Sequence, residues 1–186
     1  MKLFIGLGNP GKEHENNRHN AGFMFLDFIA GTFNTESNFK NEKKFEADMF
    51  EVVIDAEKIL FVKPQTYMNA IGRTVKKLAD FYKIDPDNII VAHDDLDLEL
   101  GSFKIQKGKG PKIHNGILSI EEHLGSSDFT RIRIGIDNRD PENRFQGKDY
   151  VLSSFTHEEE LKLNDIFNKI IKNLQSTFRL GNILTE

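Results

Sequence analysis

The fold class is decided by the first stretch of the chain, KLFIGLGNPG at residues 2–11. Residues 2–7 are almost all apolar and predict a buried strand, and residues 8–11 contain the glycine and proline that close it in a turn. A second run of this kind, at residues 88–92, follows a turn-like segment. Two buried strands separated by segments with helical periodicity indicate an α/β protein.

The remaining segments extend this pattern. Residues 34–44 are polar and predict a loop, while residues 130–136 alternate isoleucine with arginine and predict a half-buried strand. Thr156 and Glu159 form a capping box that opens a long amphipathic helix. Further helices are predicted at 20–33, at 69–82 and from 115, and further strands at 47–54, 58–62 and 102–106. Because no linker or composition shift divides the chain, we expect one α/β domain, residues 1–186, with a mixed central sheet flanked by helices.

Composition excludes several classes of function. The 186 residues include no cysteine, which excludes disulfides, thiolate zinc sites and a cysteine nucleophile. The net charge is -4, from 25 basic and 29 acidic residues, and it argues against indiscriminate binding to nucleic acids or membranes while leaving room for a local basic patch. The first apolar run is too short for a signal peptide, and no run is long enough to span a bilayer. We therefore expect a cytoplasmic protein without membrane contact.

Gly6, Gly8 and Gly11 match the spacing of a dinucleotide-binding fingerprint. That site requires a helix to begin inside the glycine turn, so that its backbone N–H groups face the pyrophosphate. Pro10 lacks such an N–H, and residues 12–18 show no helical period. The turn is instead expected to place Asn9 at the carboxyl edge of a strand, where α/β sheets build their sites.

His19 is the first candidate catalytic residue. It lies at the start of a predicted helix, whose positive end should lower the pKa of the imidazole and keep the ring ready as a general base. Asp94 directly follows the buried run at 88–92. If the two buried strands are parallel, Asp94 and His19 meet at one edge of the sheet, and the carboxylate fixes the tautomer of the imidazole. The alternative is that His19 is structural or merely exposed.

The segment HDDLDLE, residues 93–99, also permits a metal site, because imidazole and carboxylates are metal ligands. Alternation along a strand directs these side chains to opposite faces, and no second histidine-carboxylate cluster stands at ligand spacing. No metal is therefore expected. A solvated acidic hairpin is the predicted environment of Asp97 and Glu99.

Asparagines occupy three predicted junctions between strands and helices: Asn9, Asn69 and Asn115. Asn69 and Asn115 could serve only as helix N-caps. Three amides close to a histidine and an aspartate are more than capping requires, since amides can also bind a substrate or steady an oxyanion without carrying charge.

A basic segment follows. Four lysines lie within nine residues that contain no acid, and two arginines share one face of the next predicted strand: Lys104, Lys107, Lys109, Lys112, Arg131 and Arg133. Such a patch can be merely solvated. Beside the proposed site, it would instead bind phosphates.

These motifs together resemble the bacterial peptidyl-tRNA hydrolases over nearly the whole chain. The matching segments occur in order: GLGNPG at 6–11, RHNAG at 18–22, KP and TYMN within 63–69, HDDLD at 93–97, HNG at 114–116, residues 131–136 and DYVL at 149–152. The resemblance implies hydrolysis of the ester that joins a peptide to the 3′-terminal ribose of tRNA. It also implies a monomeric α/β protein with no metal or cofactor.

Roles for individual residues follow from the resemblance. It implies that His19 is the general base for the attacking water and that Asp94 supports its basic form. It implies that Asn9 recognises the blocked amino group of the substrate.

The resemblance also implies how the substrate is held. Tyr67, Asn69 and Asn115 would contact its 3′ end or its peptide, and Met68 would line the peptide groove. A tRNA phosphate would be held by Lys104 and Arg133.

The chain departs from the family pattern at three places. His14 stands where the family usually has tyrosine, although it remains a candidate for substrate contact. Residues 112–113 are Lys-Ile where a glycine pair is usual, and Gln106 stands where a second basic residue is usual. Relatives that bind RNA without catalysis provide the main alternative function, and the intact set of histidine, aspartate and asparagines favours the enzyme.

Overall fold

The computed structural model describes residues 1–33, 39–140, 142 and 147–178. These ranges contain seven strands and five α-helices. The strands are β1 (Lys2–Gly6), β2 (Lys40–Glu42), β3 (Ala47–Ile54), β4 (Glu57–Pro64), β5 (Ile89–Glu99), β6 (Phe103–Lys107) and β7 (Thr130–Asp137). The helices are α1 (Ala21–Thr32), α2 (Ile71–Tyr82), α3 (Asn115–Leu124), α4 (Gly147–Leu152) and α5 (His157–Phe178).

All seven strands form one mixed sheet in the order β2-β3-β4-β1-β5-β7-β6. β1 lies between β4 and β5 and runs parallel to both, and β5 runs parallel to β7. The three remaining pairings are antiparallel. The predicted fold class, an α/β domain with a mixed central sheet flanked by helices, is confirmed. Since β1, β4, β5 and β7 share one direction, their carboxyl ends meet at one edge of the sheet.

The alternation of side chains along the strands separates two cores. Phe4 and Ile90 pack with α1 and α5 on one face, whereas Leu3, Ile5 and Val91 pack with α2 and α3 on the other. Burial on both faces is characteristic of parallel strands covered by helices. The same alternation decides which helix each polar side chain of β5 meets beyond residue 92.

Gly22 brings α1 close to the sheet. A Cβ at this position would clash with the backbone of Leu7 and with the carbonyl oxygen of Ala92, so only glycine lets the helix lie directly against the ends of β1 and β5. α1 begins at Ala21, well after the glycine turn that ends at Gly11. The turn is therefore followed by a short 3-10 turn and not by an α-helix, which agrees with the argument against a dinucleotide site.

Three local predictions were wrong. Residues 34–44 were expected to form a loop, but residues 40–42 form β2, an exposed edge strand without an apolar pattern; residues 34–38 lie outside the described ranges. β7 is buried on both faces rather than half-buried, because its arginines are covered. β5 continues through the acidic segment to Glu99 instead of ending before it.

The capping box of α5 is confirmed. The N–H of Glu159 donates to Oγ1 of Thr156 at 3.3 Å, and the N–H of Thr156 donates to the Glu159 carboxylate at 2.8 Å. Among the helices that the structure describes, none is both long and apolar enough to cross a bilayer. The predicted extent of the domain, residues 1–186, stays a prediction.

Candidate active site

His19 and Asp94 meet at the carboxyl edge of the sheet. His19 lies in a short 3-10 turn, Arg18–Asn20, directly before α1, and Asp94 lies on β5 next to the end of β1. Nδ1 of His19 is 2.8 Å from Oδ1 of Asp94, which confirms the contact predicted from the sequence. The alternation of side chains along β5 explains this contact: Asp94 lies four residues after Ile90, on the same face of the sheet, and therefore faces α1.

The charge of Asp94 and its hydrogen bond to His19 make the imidazole a stronger base. Burial raises the pKa of the Asp94 carboxyl, but the charges and hydrogen bonds of His19 and His114 lower it far more, so the group is ionised. A carboxylate only accepts, so Nδ1–H of His19 donates and the proton of the neutral ring is fixed there. Nε2 is left without a hydrogen-bond partner in the described part of the chain.

The expectation of a lowered pKa at His19 was wrong. Burial lowers the pKa of His19, but the negative charge of Asp94 and the hydrogen bond to it outweigh burial, so the pKa lies above its ordinary value of 6.5. The contact with a buried carboxylate, which the sequence analysis considered as fixing the tautomer, is the reason for the raised pKa. A higher pKa makes Nε2 a more effective proton acceptor while requiring a pH high enough to keep it unprotonated.

His114 is a member of the cluster that sequence reasoning did not assign. Its Nδ1 accepts the N–H groups of Gly116 and Ile117 at 3.2 and 3.4 Å, so His114 is the N-cap of α3. The ring proton is therefore on Nε2, which donates to Oδ1 of Asp94 at 2.9 Å. One carboxylate oxygen thus receives two imidazole N–H groups. The only available signal was the position of His114 at a predicted helix start.

The side chains of His19, Asp94 and His114 are close enough to be considered as metal ligands, since their ligand atoms lie within 4.8 Å of one another. Each imidazole nitrogen facing Asp94 carries the proton of a direct hydrogen bond. A metal would have to displace both protons and sit at about 2.0–2.2 Å from each ligand atom. The hydrogen-bonded geometry therefore suits proton binding better than metal binding.

His93 lies beneath this cluster on the opposite face of β5. It is completely buried, its ring packs edge-on against His114 at 4.9 Å, and its Nδ1 donates to the carbonyl oxygen of Asp94 at 2.6 Å. Burial, together with the neighbouring His114, lowers the pKa of His93 to about 3. His93 is therefore uncharged at neutral pH.

Asn9 is held in one orientation by two contacts. Its backbone N–H and carbonyl pair with the side-chain amide of Asn20 at 2.9 and 3.0 Å, and its Oδ1 accepts the N–H of Met68 at 2.9 Å. The oxygen of the Asn9 amide is thus occupied, and the NH₂ group is left as a donor. Asn20, which is buried, is a second supporting residue that the sequence analysis did not single out.

A cleft of about 570 Å³ opens over these groups. Its lining brings together seven of the residues predicted from the sequence: Asn9, His19, Tyr67, Met68, Asn69, Asp94 and Asn115. The caps of α2 and α3 are Ala70 and His114, which excludes the alternative that Asn69 and Asn115 are N-caps. Both residues are exposed, and their amides make no hydrogen bond within the described ranges.

Arg18 ties the turn that carries His19 to α4 and α5. It forms a buried, bidentate ion pair with Glu159 at 2.9–3.0 Å, and its guanidinium stacks on the rings of Tyr150 and Phe155. Tyr150 belongs to α4, which provides part of the cleft wall. The position of His19 is thus coupled to that of α4.

A family model described as peptidyl-tRNA hydrolase matches residues 3–185 of this chain. The chain belongs to the peptidyl-tRNA hydrolase family. Two similar curated proteins bear the same description. That of Bacillus cytotoxicus is 43% identical over 169 residues, covering 91% of this chain and 88% of that protein. That of Rickettsia bellii is 42% identical over 186 residues, covering 96% and 98%.

Solved structures agree with this assignment. A crystal structure of a peptidyl-tRNA hydrolase in complex with N-propanol is 31% identical, with a TM-score of 0.85, and the match covers 99% of this chain and 92% of that one. The peptidyl-tRNA hydrolase of Acinetobacter baumannii is 31% identical, with a TM-score of 0.83, and the match covers 100% and 95%.

The phosphate contact that the peptidyl-tRNA hydrolase resemblance implied for Arg133 stays a prediction, and the structure shows which groups hold this side chain. Arg133 is buried, its Nε donates to Asp95 at 2.5 Å and its Nη1 donates to Gln106 at 2.7 Å. The loop at Gly110 lies against the guanidinium. Gln106, which replaces a basic residue usual in peptidyl-tRNA hydrolases, thus serves as an acceptor for the arginine against which this loop packs.

Lys104 remains available for a phosphate. It pairs with Arg133 across β6 and β7, but it is exposed and makes no ion pair with the residues that the structure describes. Lys107 pairs with Asp87 at 2.8 Å. Asp97 is not merely solvated as expected, since it accepts the backbone N–H of Lys112 at 3.0 Å and so fastens the basic loop.

His14, the remaining peptidyl-tRNA hydrolase candidate, does not line the cleft. It lies in a separate 3-10 turn, Lys12–His14, where its Nδ1 is 3.1 Å from Nδ2 of Asn17. The structure therefore does not bring His14 together with His19 and Asp94.

Proposed function

We propose that this protein hydrolyses the ester between a peptide and the 3′-terminal ribose of tRNA, with His19 as the general base. The observation that carries the proposal is the His19–Asp94 hydrogen bond, which fixes the proton on Nδ1 and leaves Nε2 as the free base beside the cleft. A positioned base of this kind contributes about 10²–10⁴-fold to a hydrolysis rate. The family assignment supports the ester as substrate.

The reaction follows from the free ring nitrogen. Nε2 of His19 takes a proton from water as the water oxygen bonds to the ester carbonyl carbon, and negative charge develops on the carbonyl oxygen. When the tetrahedral intermediate collapses, the bond from carbon to the ribose oxygen breaks and the proton on Nε2 passes to that oxygen. The imidazolium formed in between is stabilised by the Asp94 carboxylate. The free amides of Asn69 and Asn115 provide neutral donors for the oxyanion.

Asn9 accounts for selection of a blocked amino group. Because Met68 occupies its oxygen, Asn9 offers only N–H donors to the cleft. Such donors bind the carbonyl oxygen of an N-acyl group, whereas a free α-ammonium group finds no acceptor there. Asn9→Asp keeps an oxygen for Met68 but removes the donor, so it should reduce kcat/KM for the blocked substrate and narrow its advantage over the unblocked one.

The remaining assignments complete the proposal. Tyr67, exposed and flat, would stack on the terminal adenine, Met68 would line the peptide groove, and Lys104 would bind a tRNA phosphate. We further propose that the protein acts as a cytoplasmic monomer and uses no metal or cofactor. EDTA should therefore leave the rate of hydrolysis unchanged.

The decisive assay compares N-acetylaminoacyl-tRNA with the same tRNA bearing an unblocked amino acid. Release of the N-acetylamino acid, with little release of the free one, is the expected result. His19→Ala should lower kcat by about 10²–10⁴-fold and retain tRNA binding. His14→Ala is the matched control, because that histidine lies outside the cleft. Near-normal turnover by His19→Ala would refute the base assignment.

A further inference from the structure

Ile113 is a large apolar residue that the fold holds out in water. Its relative exposure is 81%, and it lies on the rim of the cleft. The backbone on either side is fixed, since the N–H of Lys112 is bonded to Asp97 and His114 caps α3. A rigid loop that presents an isoleucine to an open cleft is suited to burying it against a ligand.

Ile113 belongs to an aliphatic wall. Leu96, Val151 and Leu152 line the same cleft, and Leu152 is 42% exposed. The catalytic histidine and the asparagine amides provide the polar part of the lining. The cleft therefore offers two different chemistries to a substrate.

The parts of the substrate can be matched to these surfaces. The terminal adenine is flat and aromatic, and Tyr67, which is 65% exposed, offers an aromatic face for it. The N-acyl carbonyl needs a donor, which Asn9 provides. The side chain of the esterified amino acid is the remaining group beside the reacting carbon. A wall of branched aliphatic residues binds an aliphatic side chain by excluding water from both.

We propose that Ile113, together with Leu96, Val151 and Leu152, determines specificity by favouring substrates whose esterified amino acid has an aliphatic side chain. This inference rests on the proposed hydrolysis of N-blocked aminoacyl-tRNA. Ile113 acts through binding and takes no part in the transfer of protons.

The test compares N-acetyl-leucyl-tRNA with N-acetyl-glycyl-tRNA. Ile113→Ala should lower the ratio of kcat/KM values, leucyl over glycyl, by about fivefold, mainly through a higher KM for the leucyl substrate; an open wall discriminates less than an enclosed pocket. Leu152→Ala should lower the same ratio. Val53→Ala is the matched control, because Val53 is also an aliphatic residue and is 65% exposed but lies outside the cleft. The leucyl-to-glycyl ratio of this variant should equal that of the unchanged protein.

A reversal of preference provides an independent test. Ile113→Glu should raise kcat/KM for N-acetyl-lysyl-tRNA relative to N-acetyl-leucyl-tRNA, because a carboxylate replaces aliphatic surface beside the side chain. Since Ile113, Val53 and Leu152 are all exposed, none of these substitutions removes a buried core residue, and circular dichroism should show an unchanged fold.

The outcomes separate the two proposals. If the unchanged protein hydrolyses neither substrate, the proposed function is wrong. If it hydrolyses both and Ile113→Ala lowers both kcat/KM values equally, Ile113 contacts a part common to all substrates, and the specificity inference alone is overturned. An unchanged leucyl-to-glycyl ratio overturns it as well.

Discussion

Asp94 and Asp95 are adjacent in sequence and both buried, but they lie in different environments. Asp94 faces α1 and accepts the N–H groups of two imidazoles on a single oxygen. Asp95 lies on the other face, where one oxygen accepts Nε–H of Arg133 and the other accepts the backbone N–H of Asp97. The period of two along a strand therefore assigns two identical residue types to two different surroundings.

The difference lies in what the partners can do with a proton. The partners of Asp94 include His19, whose charge changes near neutral pH, so the carboxylate can stabilise a proton that arrives during a reaction. Arg133 keeps its charge throughout, so its pair with Asp95 has a structural role. Asp94 is thus suited to the proposed proton transfer, whereas Asp95 is suited to stabilising the fold.

Among the substitutions that test this comparison, the largest effect is expected for Asp94→Asn. The amide cannot match the carboxylate in holding the proton on Nδ1 of His19 or in stabilising the imidazolium, so kcat should fall by about 10²–10³-fold. Because the charge of Asp94 is what raises the pKa of His19, the acid limb of the pH profile of kcat/KM should move to lower pH.

The control for this prediction is Asp95→Asn, which should leave that acid limb in place. The measurement is steady-state hydrolysis of N-acetylaminoacyl-tRNA between pH 5 and 9. An acid limb that stays at the same pH in Asp94→Asn would contradict the assignment of His19 as the titrating base.

Asp95→Asn should instead lower the free energy of unfolding, by about 3 kcal/mol, because it leaves a buried guanidinium without its charged partner. Urea unfolding followed by circular dichroism measures this change. Asp97→Asn is the matched control. It keeps an acceptor for the N–H of Lys112 near the surface, so it should lower the free energy of unfolding less than Asp95→Asn does. If Asp95→Asn lowers kcat of the folded protein as much as Asp94→Asn does, the division between the two carboxylates is wrong.

His93 extends the comparison to pH. Its pKa is about 3 in the folded protein against 6.5 ordinarily, so between these values the unfolded chain binds a proton that the folded chain does not. Protonation of His93 therefore favours the unfolded chain. It has no effect on the free energy of unfolding above pH 6.5, and as the pH falls from 6.5 toward 3 it lowers that free energy by about 1.4 kcal/mol per pH unit. Urea unfolding at pH 7, 6 and 5 should show a weaker decline for His93→Asn. An equal decline in both proteins would show that other groups are responsible.

The smallest effect is expected for Lys104→Ala. Removing one phosphate contact should reduce the slope of log Kd for tRNA against log salt by about one, with kcat nearly unchanged. Lys107→Ala, whose lysine is already paired with Asp87, should change the slope less. A normal slope for Lys104→Ala would move the phosphate contact elsewhere in the basic loop.

Local patterns in the sequence were sufficient for the buried strands and for the contact between His19 and Asp94. Asp94 directly follows one buried run, and His19 stands at the start of the helix that follows the other; parallel strands bring these two positions to one edge of the sheet. The same patterns could not reveal β2, whose exposed residues form an edge strand without apolar alternation. They also misjudged β7, since an Ile/Arg alternation looks half-exposed unless the covering loop is known.

The sequence by itself determined the α/β class, the family and seven residues of the cleft lining, because periodicity and motifs depend on neighbours along the chain. The tertiary structure decided which groups share a proton or a charge. It alone showed His114 on Asp94, the raised pKa of His19, and Arg133 enclosed by Asp95 and Gln106. These properties depend on burial and on partners distant in sequence, which only the folded chain brings within hydrogen-bonding distance.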